Sequence, residues 1–346
     1  MAAPEVLVLS GREVAQALSL ERCIGAVAEA FVAHHRGEGR AYPVVRQVLP
    51  KGGIFGVKSG FLPGASALGL KAGGFWADNA GAGVPTHQSA ALLFDPATGQ
   101  LRAVLDANVI TVVRTAAAGA LAARALAPAG TRLAAVIGAG TQAIAQTHAL
   151  KWARPDLVTV RVFARSDASY RRFRAGVAAL DATFERAALV RSAVDGADAI
   201  VTATPSWEPL VRREWVAPGA YVAAFGADTV GKQELDPEVL RDAQVVVDDW
   251  EQARTIGECQ HAHRLGFLPR EAVHGELGAI LAGELPGRQD DARVTVFDST
   301  GIALQDLAAA VAAIEAAHEL GLGSRVRLAD AGDADVWAAL AVRSPA

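Results

Sequence analysis

The sequence predicts an α/β protein in which a Rossmann-type, doubly wound parallel sheet is joined to a discontinuous α+β domain. Three observations support this fold class: a glycine-rich turn between an apolar strand and a helix start at 133–143, alternating strand and helix patterns from 131 onwards, and turn-separated strand patterns in the first third. Buried strands that alternate with helices are typical of a parallel sheet covered on both faces.

The first third is predicted to form a mostly antiparallel α+β unit. A helix is predicted from residue 10 or 11 to about 35, because apolar residues recur there at helical spacing. Turn-rich segments separate the strand patterns that follow, which are 44–49, 54–58, 68–73 and 89–94. Another helix is predicted over 109–126, where Pro128, Ala129 and Gly130 close it.

The second unit alternates strands and helices. Its strand candidates are 133–137, 158–163, 199–204, 221–225, 245–248 and 294–297. A long alanine-rich helix over about 304–320 is expected to return to the first unit, which makes that unit discontinuous. We therefore predict one domain from 1–118 and 305–346, and a dinucleotide-binding domain from 119–304.

The glycine turn predicts a dinucleotide site. Gly138 permits the tight turn, Gly140 lets backbone N–H groups approach a pyrophosphate, and Ala143 is small enough for the helix to pack on the strand. The helix N-terminus then offers unpaired N–H donors and a positive dipole end to the phosphates. The turn has its required context, since a strand pattern precedes it and a helix pattern follows it.

Composition and charge argue against several classes of protein. The 346 residues carry a formal net charge of −4 and are 51% hydrophobic, which predicts a substantial core and gives no nucleic-acid footprint. Cys23 and Cys259 are the two cysteines, which argues against a disulfide framework. We see no basic leader and no uninterrupted apolar run near the roughly 18 residues of a membrane span, so we expect a cytoplasmic protein without membrane or nucleic-acid partners.

The end of the second strand of the dinucleotide unit bears on the choice of cofactor. NAD sites usually place a carboxylate there to bind the ribose 2′-hydroxyl, whereas this chain has Ala164, Arg165 and Ser166. Asp156 precedes the strand and Asp167 lies beyond its end. Arg165 and Ser166 suit a 2′-phosphate through charge-assisted hydrogen bonds, and an exposed surface arginine is the alternative. We predict an NAD(P)H cofactor, with NADP(H) favoured and NAD(H) left open.

Four basic residues flank the strands of the first unit: Arg46, Lys58, Lys71 and Arg114. Lys58 and Lys71 each lie in a glycine-rich apolar setting, and Arg114 lies near the start of an apolar helix. Cations in such surroundings need anionic partners, and a ligand carboxylate is one. The alternative for any one of these side chains is a solvated surface position.

Asp228 is a candidate acid or base. It follows the apolar strand 221–225 and Gly226, at the carboxyl end of a parallel strand, where such sheets bind ligands. A carboxylate near cations can exchange a proton with a substrate nitrogen. The structural alternative is an aspartate that caps a helix or a turn.

We predict no metal site. Cys259, His261 and His263 invite a zinc interpretation, but no fourth ligand with suitable spacing accompanies them. The acidic run 248–251 is interpreted as a strand end followed by a helix start. His87 lies either near a nicotinamide ring or in the interior as a structural histidine.

A set of motifs resembles the ornithine cyclodeaminase/μ-crystallin family over about 44–307. They are Pro85-Thr86-His87-Gln88, Val113-Arg114-Thr115-Ala116-Ala117, Gly138-Ala139-Gly140-Thr141-Gln142, Gly226-Ala227-Asp228, Gly231-Lys232-Gln233-Glu234-Leu235 and Val296-Phe297-Asp298-Ser299-Thr300-Gly301. The resemblance implies a homodimer formed through the first domain, which would bind the substrate, with the active site between the two domains.

Roles for individual residues come from the resemblance and from the residue patterns above; the patterns alone give those of Lys58, Gly138, Gly140, Arg165 and Ser166. The catalytic candidates are Asp228, as the acid or base, and Lys71. The substrate-binding candidates, which include the cations around the α-carboxylate, are Arg46, Lys58, Lys71, Arg114 and Thr300. The cofactor-binding candidates are Thr86, Arg114, Gly138, Gly140, Thr141, Gln142, Arg165, Ser166, Thr204, Phe225, Gly226, Ala227, Lys232 and Ser299.

One departure from the family pattern bears on the substrate. Ornithine cyclodeaminases place an acidic residue on the strand where this chain has Gly56, and that residue binds the distal ammonium of ornithine. Gly56 cannot do so, and Lys58 stands two residues later, where relatives are apolar. Removing an anion and adding a cation favours a second carboxylate at the distal end of the substrate.

The segments 57–61, 70–76 and 231–234 also resemble the iminosuccinate reductases of this family, which reduce iminosuccinate to L-aspartate. We therefore predict an NAD(P)H-dependent imine reductase that acts on a small imino acid, with iminosuccinate favoured. Other activities stay open: an ornithine cyclodeaminase, a ketimine or pyrroline-2-carboxylate reductase, an alanine dehydrogenase, and an NADP-dependent ligand-binding protein without turnover.

Overall fold

A computed structural model describes residues 5–328, apart from the side chains of residues 51 and 80. The stretch 329–346 of the first predicted domain lies outside the described residues. The strands are β1 Glu5–Leu9, β2 Arg40–Ala41, β3 Val45–Val48, β4 Ile54–Leu62, β5 Ala67–Phe75, β6 His87–Phe94, β7 Leu101–Asp106, β8 Leu133–Ile137, β9 Thr159–Phe163, β10 Thr183–Ala187, β11 Ala199–Thr202, β12 Trp207–Val211, β13 Tyr221–Ala224, β14 Gln233–Leu235, β15 Gln244–Val247, β16 Gly275–Glu276, β17 Thr295–Asp298 and β18 Ser324–Arg327. The helices are α1 Gly11–Ala17, α2 Leu20–His35, α3 Ala107–Leu126, α4 Thr141–Ala153, α5 Asp167–Gly176, α6 Val190–Val194, α7 Glu238–Arg241, α8 Trp250–Ile256, α9 Cys259–Arg264, α10 Leu277–Leu281 and α11 Ala303–Leu320.

The first sheet is built from strands near both ends of the described chain. Its order is β18-β1-β7-β6-β5-β4-β2, and β3 also pairs with β4. The pairs are antiparallel, except that β1 and β7 run parallel. The strands predicted at 44–49, 54–58, 68–73 and 89–94 appear as β3 to β6, so the mostly antiparallel arrangement is confirmed. The remaining four strands of this sheet are additional to the prediction.

The single N-terminal helix predicted up to residue 35 is wrong, because the chain forms α1 and α2 with a break between them. Leu18 has an extended backbone, with φ −103° and ψ 95°, and Ser19 caps α2 by accepting from the Arg22 N–H at 3.2 Å. A serine side chain at a helix start satisfies an otherwise unpaired N–H, which favours a new helix there. Apolar spacing continues across the break, so periodicity alone conceals it.

The second sheet contains eight parallel strands in the order β10-β9-β8-β11-β13-β17-β15-β16. Its central strands β11, β13, β15 and β17 are buried along their whole length, which explains their continuous apolar runs. The predicted doubly wound parallel sheet is confirmed. The chain order of the strands reverses between β8 and β11, and ligands bind at the carboxyl ends of the strands beside such a reversal.

Two long helices connect the sheets. α3 begins at the Asp106 cap, which accepts from the N–H groups of Asn108 and Val109, and packs against α2 and α4. The domain boundary predicted at 118/119 falls inside this helix. α11 follows the last strand of the parallel sheet but packs against α2, β4 and β5 of the first unit. α3 is long and apolar enough to span a membrane by length and composition, although 67% of its most apolar window is buried inside the protein.

Candidate functional site

The turn after β8 has the geometry of a phosphate site. Gly138 has a φ of +114°, and a Cβ there would lie 2.7 Å from the Ala203 carbonyl oxygen, so this position requires glycine. Gly140 is the N-cap of α4, and it makes no side-chain bond to the first N–H groups of the helix. A Cβ on Gly140 would meet no atom within 4 Å. The N-terminus of α4 therefore presents unpaired N–H groups to open space, as a pyrophosphate requires.

Gln142 adds a second observation in the first turn of α4. Its Nε2 donates to the Thr111 carbonyl at 3.5 Å, while its Oε1 is buried and accepts no hydrogen bond within 5–328. Buried amide oxygens usually have a donor, so a ligand donor fits at this oxygen. The residues present therefore fit a nicotinamide dinucleotide, which Thr141, Gln142 and the α4 N-terminus would hold.

The structure brings most of the other predicted cofactor residues to the same edge of the sheet. β11, β13 and β17 are adjacent, and their carboxyl ends lie side by side. The residues that follow these three ends are Thr204, Phe225, Gly226, Ala227 and Ser299. Lys232 lies just before β14 and bonds to Asp228, which places it beside the same edge.

Glu234 holds two of these strand ends together, a role that was not predicted from the sequence. Its carboxylate accepts from the Thr204 N–H at 2.6 Å, the Thr204 hydroxyl at 2.7 Å, the Thr202 hydroxyl at 2.7 Å and the Gly226 N–H at 2.8 Å. The side chain is fully buried. A Cβ on Gly226 would lie 2.2 Å from the Thr204 carbonyl oxygen, so the two ends approach closely. The position of Glu234 inside the 231–235 motif was the one sequence feature that could have indicated this role.

The end of β9 carries the residues predicted to select the cofactor. Arg165 is exposed, and Ser166 caps α5 by accepting from the Ser169 N–H at 3.2 Å. Arg186, at the end of β10, forms an ion pair with Asp167 and was not predicted. An open cavity of about 390 Å³ lies beside these residues and is lined by Ala164, Arg186, Ala187 and Ala188.

The basic residues of the first unit converge on one face of the antiparallel sheet. Lys58 on β4 stands directly opposite Lys71 on β5, so their side chains project from the same face. Arg46 on β3 stands opposite Gly56 on β4. Lys58 and Lys71 are each only 9% exposed. Like charges directly opposite each other destabilise a sheet, so this pair points to an anionic ligand.

Each buried lysine has partners of its own and a donor to spare. Lys58 Nζ donates to the carbonyl oxygens of Thr300 at 2.9 Å and Gly301 at 2.6 Å. Lys71 Nζ donates to the Thr111 hydroxyl at 3.1 Å and to Asp306 Oδ1 at 2.9 Å. An ammonium has three N–H donors, so within residues 5–328 each lysine in its charged form keeps one for a ligand.

Arg114 and Lys71 both donate to Asp306, a residue that was not predicted from the sequence. Arg114 Nε donates to Asp306 Oδ1 at 2.9 Å, and its Nη1 donates to Gln305 Oε1 at 2.9 Å. Asp306 lies in the first turn of α11 and is 2% exposed. It lies beyond the last family motif, and its helical position gave no sign of a charged partner so distant in the chain.

Burial and crowding shift the ionisation of these groups. Burial lowers the pKa of Lys58 to about 7, aided by the charges of Arg114 and Lys71. Burial also lowers the pKa of Lys71 to about 8, although the Asp306 carboxylate counteracts it. Burial would raise the pKa of Asp306, but Lys71 and Arg114 outweigh it and hold that pKa at about 2. Both lysines therefore titrate near neutral pH, whereas Asp306 stays ionised.

Asp228 lies between one cation from each unit. Its carboxylate accepts from Lys232 Nζ at 2.8 Å and from Arg46 Nη2 at 3.4 Å. Arg46 Nη1 also donates to the Asp228 carbonyl oxygen and to the Thr229 hydroxyl. Partial burial would raise the pKa of Asp228, but Lys232 and Arg46 hold it well below its usual range. Asp228 is therefore an ionised carboxylate before any ligand binds.

The turn after β17 is fixed by Asp248. This fully buried carboxylate accepts from the Thr300 hydroxyl at 2.9 Å and the Ser299 hydroxyl at 3.3 Å, and also from the Gly301 N–H. The Thr300 side chain is thus bound internally, and its carbonyl is what reaches Lys58. Asp249 caps α8, which agrees with the strand end and helix start inferred for 248–251.

Thr86, His87 and His261 make contacts of their own that do not involve the other candidate side chains. Thr86 precedes β6, and within 5–328 its side chain bonds to none of the other candidate residues; its carbonyl accepts from the Trp76 N–H. His87 Nδ1 pairs with Asn108 Oδ1 at 3.1 Å, as an interior histidine does. No group of three or more His, Cys, Asp or Glu side chains suited to a metal occurs among the described residues. His261 instead bonds to the Lys232 carbonyl.

The buried carboxyl group of Asp298, at the end of β17, should make the stability of the protein depend on pH. Burial raises its pKa to about 7, so the folded protein keeps a proton that the unfolded chain releases at lower pH. Stability should therefore fall as pH rises from near 4 through about 7, by about 4 kcal/mol from this residue. Asp298→Asn keeps an acceptor for the Cys259 N–H. Its free energy of unfolding should change less between about pH 5 and pH 8.

Urea unfolding of the wild type, Asp298→Asn and the exposed control Asp181→Asn at both pH values measures this effect. We expect Asp181→Asn to follow the wild type. An unchanged pH dependence in Asp298→Asn would show that Asp298 does not carry the proton.

Comparisons with known proteins find similar chains over most of this sequence. The family model described as "Ornithine cyclodeaminase/mu-crystallin family" matches residues 5–320. Iminosuccinate reductase from Paracoccus denitrificans is 38% identical over 335 residues, covering 93% of this chain and 100% of that protein. Alanine dehydrogenase from Archaeoglobus fulgidus is 36% identical over 328 residues, covering 93% and 98%.

Solved structures give the same result. The Paracoccus denitrificans iminosuccinate reductase in complex with NAD⁺ superposes with a TM-score of 0.87 at 38% identity, covering 94% of this chain and 100% of that chain. The Thermococcus litoralis Δ¹-pyrroline-2-carboxylate reductase in complex with NADH and L-proline gives a TM-score of 0.89 at 27% identity, covering 93% and 100%.

Proposed function

The chain belongs to the ornithine cyclodeaminase/μ-crystallin family, and from this premise we propose that it reduces iminosuccinate to L-aspartate with a nicotinamide cofactor. The observation that carries the proposal is the buried pair Lys58 and Lys71, opposite each other on β4 and β5. Two like charges on one face are stabilised by a ligand with two carboxylates. The main alternative is the activity of the alanine dehydrogenase relative, whose amino acid, alanine, has only one carboxylate.

The position of Gly56 supports a dicarboxylate over ornithine. A Cβ on Gly56 would lie 2.8 Å from the Val45 carbonyl oxygen and 3.8 Å from the Arg46 guanidinium, so an acidic side chain is both absent and poorly accommodated. Without an anion on this strand, the distal ammonium of ornithine would approach Lys58 and Arg46 and be repelled. The same repulsion disfavours a cyclodeaminase activity.

We assign the substrate contacts from the unused donors. Lys71 and Arg114, fixed by Asp306, would bind the α-carboxylate, and Lys58 would bind the distal carboxylate. Arg46 would join the carboxylate contacts from β3. Since these groups are buried and already oriented, they would hold the imine carbon in place with little loss of side-chain entropy. The nicotinamide, when bound, supplies the hydride that reduces this carbon.

Proton delivery to the substrate nitrogen is assigned to the same remaining N–H of Lys71, which would be shared between the α-carboxylate and the imine nitrogen, because both groups are attached to one carbon. A donor is most effective when its pKa lies near the working pH, and the Lys71 pKa of about 8 meets this condition. As the nitrogen gains its N–H bond, the Nζ–H bond of Lys71 breaks, and water afterwards returns the proton. Asp228 is ionised, so we assign it an electrostatic role: it fixes Lys232 and Arg46 and stabilises positive charge at the nitrogen.

The cofactor preference rests on the end of β9. No carboxylate stands at Ala164, and the nearby Asp167 carboxylate is paired with Arg186. Arg165 is exposed and follows Ala164, which lines the cavity, and it would donate hydrogen bonds to a 2′-phosphate, so we propose a preference for NADP(H). The solved relatives contain NAD⁺ or NADH, which makes NAD(H) the alternative.

Arg165→Ala tests this preference. We expect kcat/KM for NADPH to fall by about tenfold or more, because a charge-assisted phosphate contact is lost, while the value for NADH changes by less than about threefold. Arg172→Ala, an exposed arginine on α5, is the matched control and should leave both values unchanged. Equal losses with NADPH and NADH would contradict a 2′-phosphate contact.

The quaternary structure and the domain boundaries belong to the same proposal. Five large apolar side chains on or beside β2 to β5 are exposed, on both faces of the antiparallel sheet; they are Tyr42, Val45, Val48, Phe55 and Phe75. A second copy of the chain would cover them, in a homodimer built from a domain of 1–118 and 305–346, with 119–304 binding the cofactor.

Free, buried Cys23 and Cys259 are consistent with a cytoplasmic location.

The activity test uses purified protein, NADH or NADPH, oxaloacetate and excess ammonium, which form iminosuccinate in solution. We expect oxidation of the cofactor to require both oxaloacetate and ammonium and to yield aspartate. Oxaloacetate without ammonium controls for reduction of the keto acid itself. Ornithine with the oxidised cofactor should release no ammonia. Absence of aspartate, or release of ammonia from ornithine, would overturn the proposal.

A further inference from the structure

Three elements meet at one oxygen of Asp306. Its Oδ1 accepts from Lys71 Nζ on β5 and from Arg114 Nε on α3, each at 2.9 Å, while Asp306 itself lies on α11. The carboxylate is 2% exposed. Lys71 and Arg114 are far apart in the chain. Hydrogen bonds from both side chains to one Asp306 oxygen fix their positions relative to each other.

We propose that Asp306 is a positioning residue that holds the Lys71 ammonium and the Arg114 guanidinium in one fixed arrangement around the bound imino acid. The inference rests on the proposed function, because it gives Asp306 a part in the same reaction. Asp306 acts through these two side chains and does not touch the substrate. Within 5–328, Lys71 keeps one N–H donor and Arg114 keeps its Nη2 group for a ligand.

The charges around Lys71 explain why an anion is needed there. Asp306 is the one anion among the described groups that face Lys71, and the cationic groups there repel the Lys71 ammonium. The titratable and charged groups that face Lys71 from the surrounding elements are Arg46 on β3, Lys58 on β4, His87 on β6, Arg114 on α3 and Asp306 on α11. Removal of the Asp306 charge therefore disfavours the charged form of Lys71 and lowers its pKa.

The second oxygen of Asp306 argues against a purely structural ion pair. Asp306 Oδ2 is buried and accepts no hydrogen bond within the part of the chain that the structure describes. A carboxylate that only tied α11 to the sheet would gain most by bonding through both oxygens. Concentrating both cations on Oδ1 instead brings their nitrogens together at one point, as a shared carboxylate site requires.

Asp306→Asn tests the proposal, with kcat/KM for imine reduction measured across pH. In the wild type, the alkaline decline should lie near pH 8, where Lys71 loses its proton. In the variant, the decline should move to lower pH by about one unit, and kcat/KM at neutral pH should fall by about 100-fold. Binding of NADH, followed by fluorescence, should change by less than about threefold.

Glu319→Gln is the matched control, since it removes another ion pair from the far end of α11. It should leave the pH profile unchanged. Asp306→Glu retains the charge but displaces it by one methylene, so it should keep the alkaline decline in place and lower kcat by about tenfold. If Asp306→Asn fails to bind NADH, the pH profile and kcat of Asp306→Glu test the positioning role instead.

The outcomes separate this inference from the proposed function. A wild type without aspartate-forming activity would overturn the proposed function and this role with it. An active wild type whose pH profile is unchanged in Asp306→Asn would overturn the positioning role alone. An Asp306→Glu variant with unchanged kcat would also overturn it, because the placement of the carboxylate would then be irrelevant.

Discussion

Replacement of Lys71 by methionine should lower kcat/KM for imine reduction by about 1,000-fold or more. The change removes the proposed proton donor, a contribution of about 100- to 10,000-fold in comparable reactions, together with one contact to the α-carboxylate. Methionine retains much of the length and apolar bulk of the lysine stem. The pH dependence should change too, since the alkaline decline assigned to the Lys71 pKa of about 8 should vanish.

The control for this variant is Lys151→Met, which removes a lysine of α4 that bonds to the carbonyl oxygens of Pro155 and Leu157. It should retain full activity. NADH binding by Lys71→Met reports that the parallel-sheet unit is intact, because Lys71 lies on the other sheet. Turnover within about tenfold of the wild type, with an unchanged pH profile, would exclude Lys71 as the proton donor.

Replacement of Lys58 by methionine should change the choice of substrate. We expect kcat/KM for iminosuccinate to fall by about 100-fold, because a buried charge-assisted contact to the distal carboxylate is lost. The imine formed from pyruvate lacks that carboxylate, so its kcat/KM should change by less than about threefold. The ratio of the two values isolates the distal contact, because any general damage to the site lowers both.

Lys58→Arg is the control for charge. It keeps a cation at this position and should retain more of the preference for iminosuccinate than Lys58→Met does. The Thr300 and Gly301 carbonyl oxygens lose a donor in Lys58→Met, so its thermal stability is measured alongside. Equal losses with both substrates would defeat the assignment of Lys58 to the distal carboxylate.

Local patterns were sufficient to predict the dinucleotide unit. Position 138 must be glycine for reasons of φ and of space, whereas Gly140 leaves open space before α4, and both features are set within a few residues. The central strands of the parallel sheet are buried on both faces, so each of them appears as a short apolar run. Elements with such local causes are predictable from a single sequence.

Features that depend on distant partners were not predictable. Asp306 matters because α11 returns to β5 and α3, and a helical pattern does not show which charges it will meet. Glu234 likewise acts through Thr204 and Gly226, which follow the ends of two other strands. The basic residues were identified because cations in apolar, glycine-rich segments are conspicuous, whereas an acidic residue at a helix start has an ordinary local explanation.

The most direct test of the dicarboxylate assignment is a competition in one vessel. Oxaloacetate, pyruvate and glyoxylate at equal concentration are incubated with excess ammonium, the reduced cofactor and the wild-type protein, and the amino acid products are quantified at low conversion. We expect aspartate to exceed alanine and glycine by about 100-fold, since the ratio reports kcat/KM for each imine after correction for imine formation. A predominance of alanine would contradict the account and favour an alanine dehydrogenase.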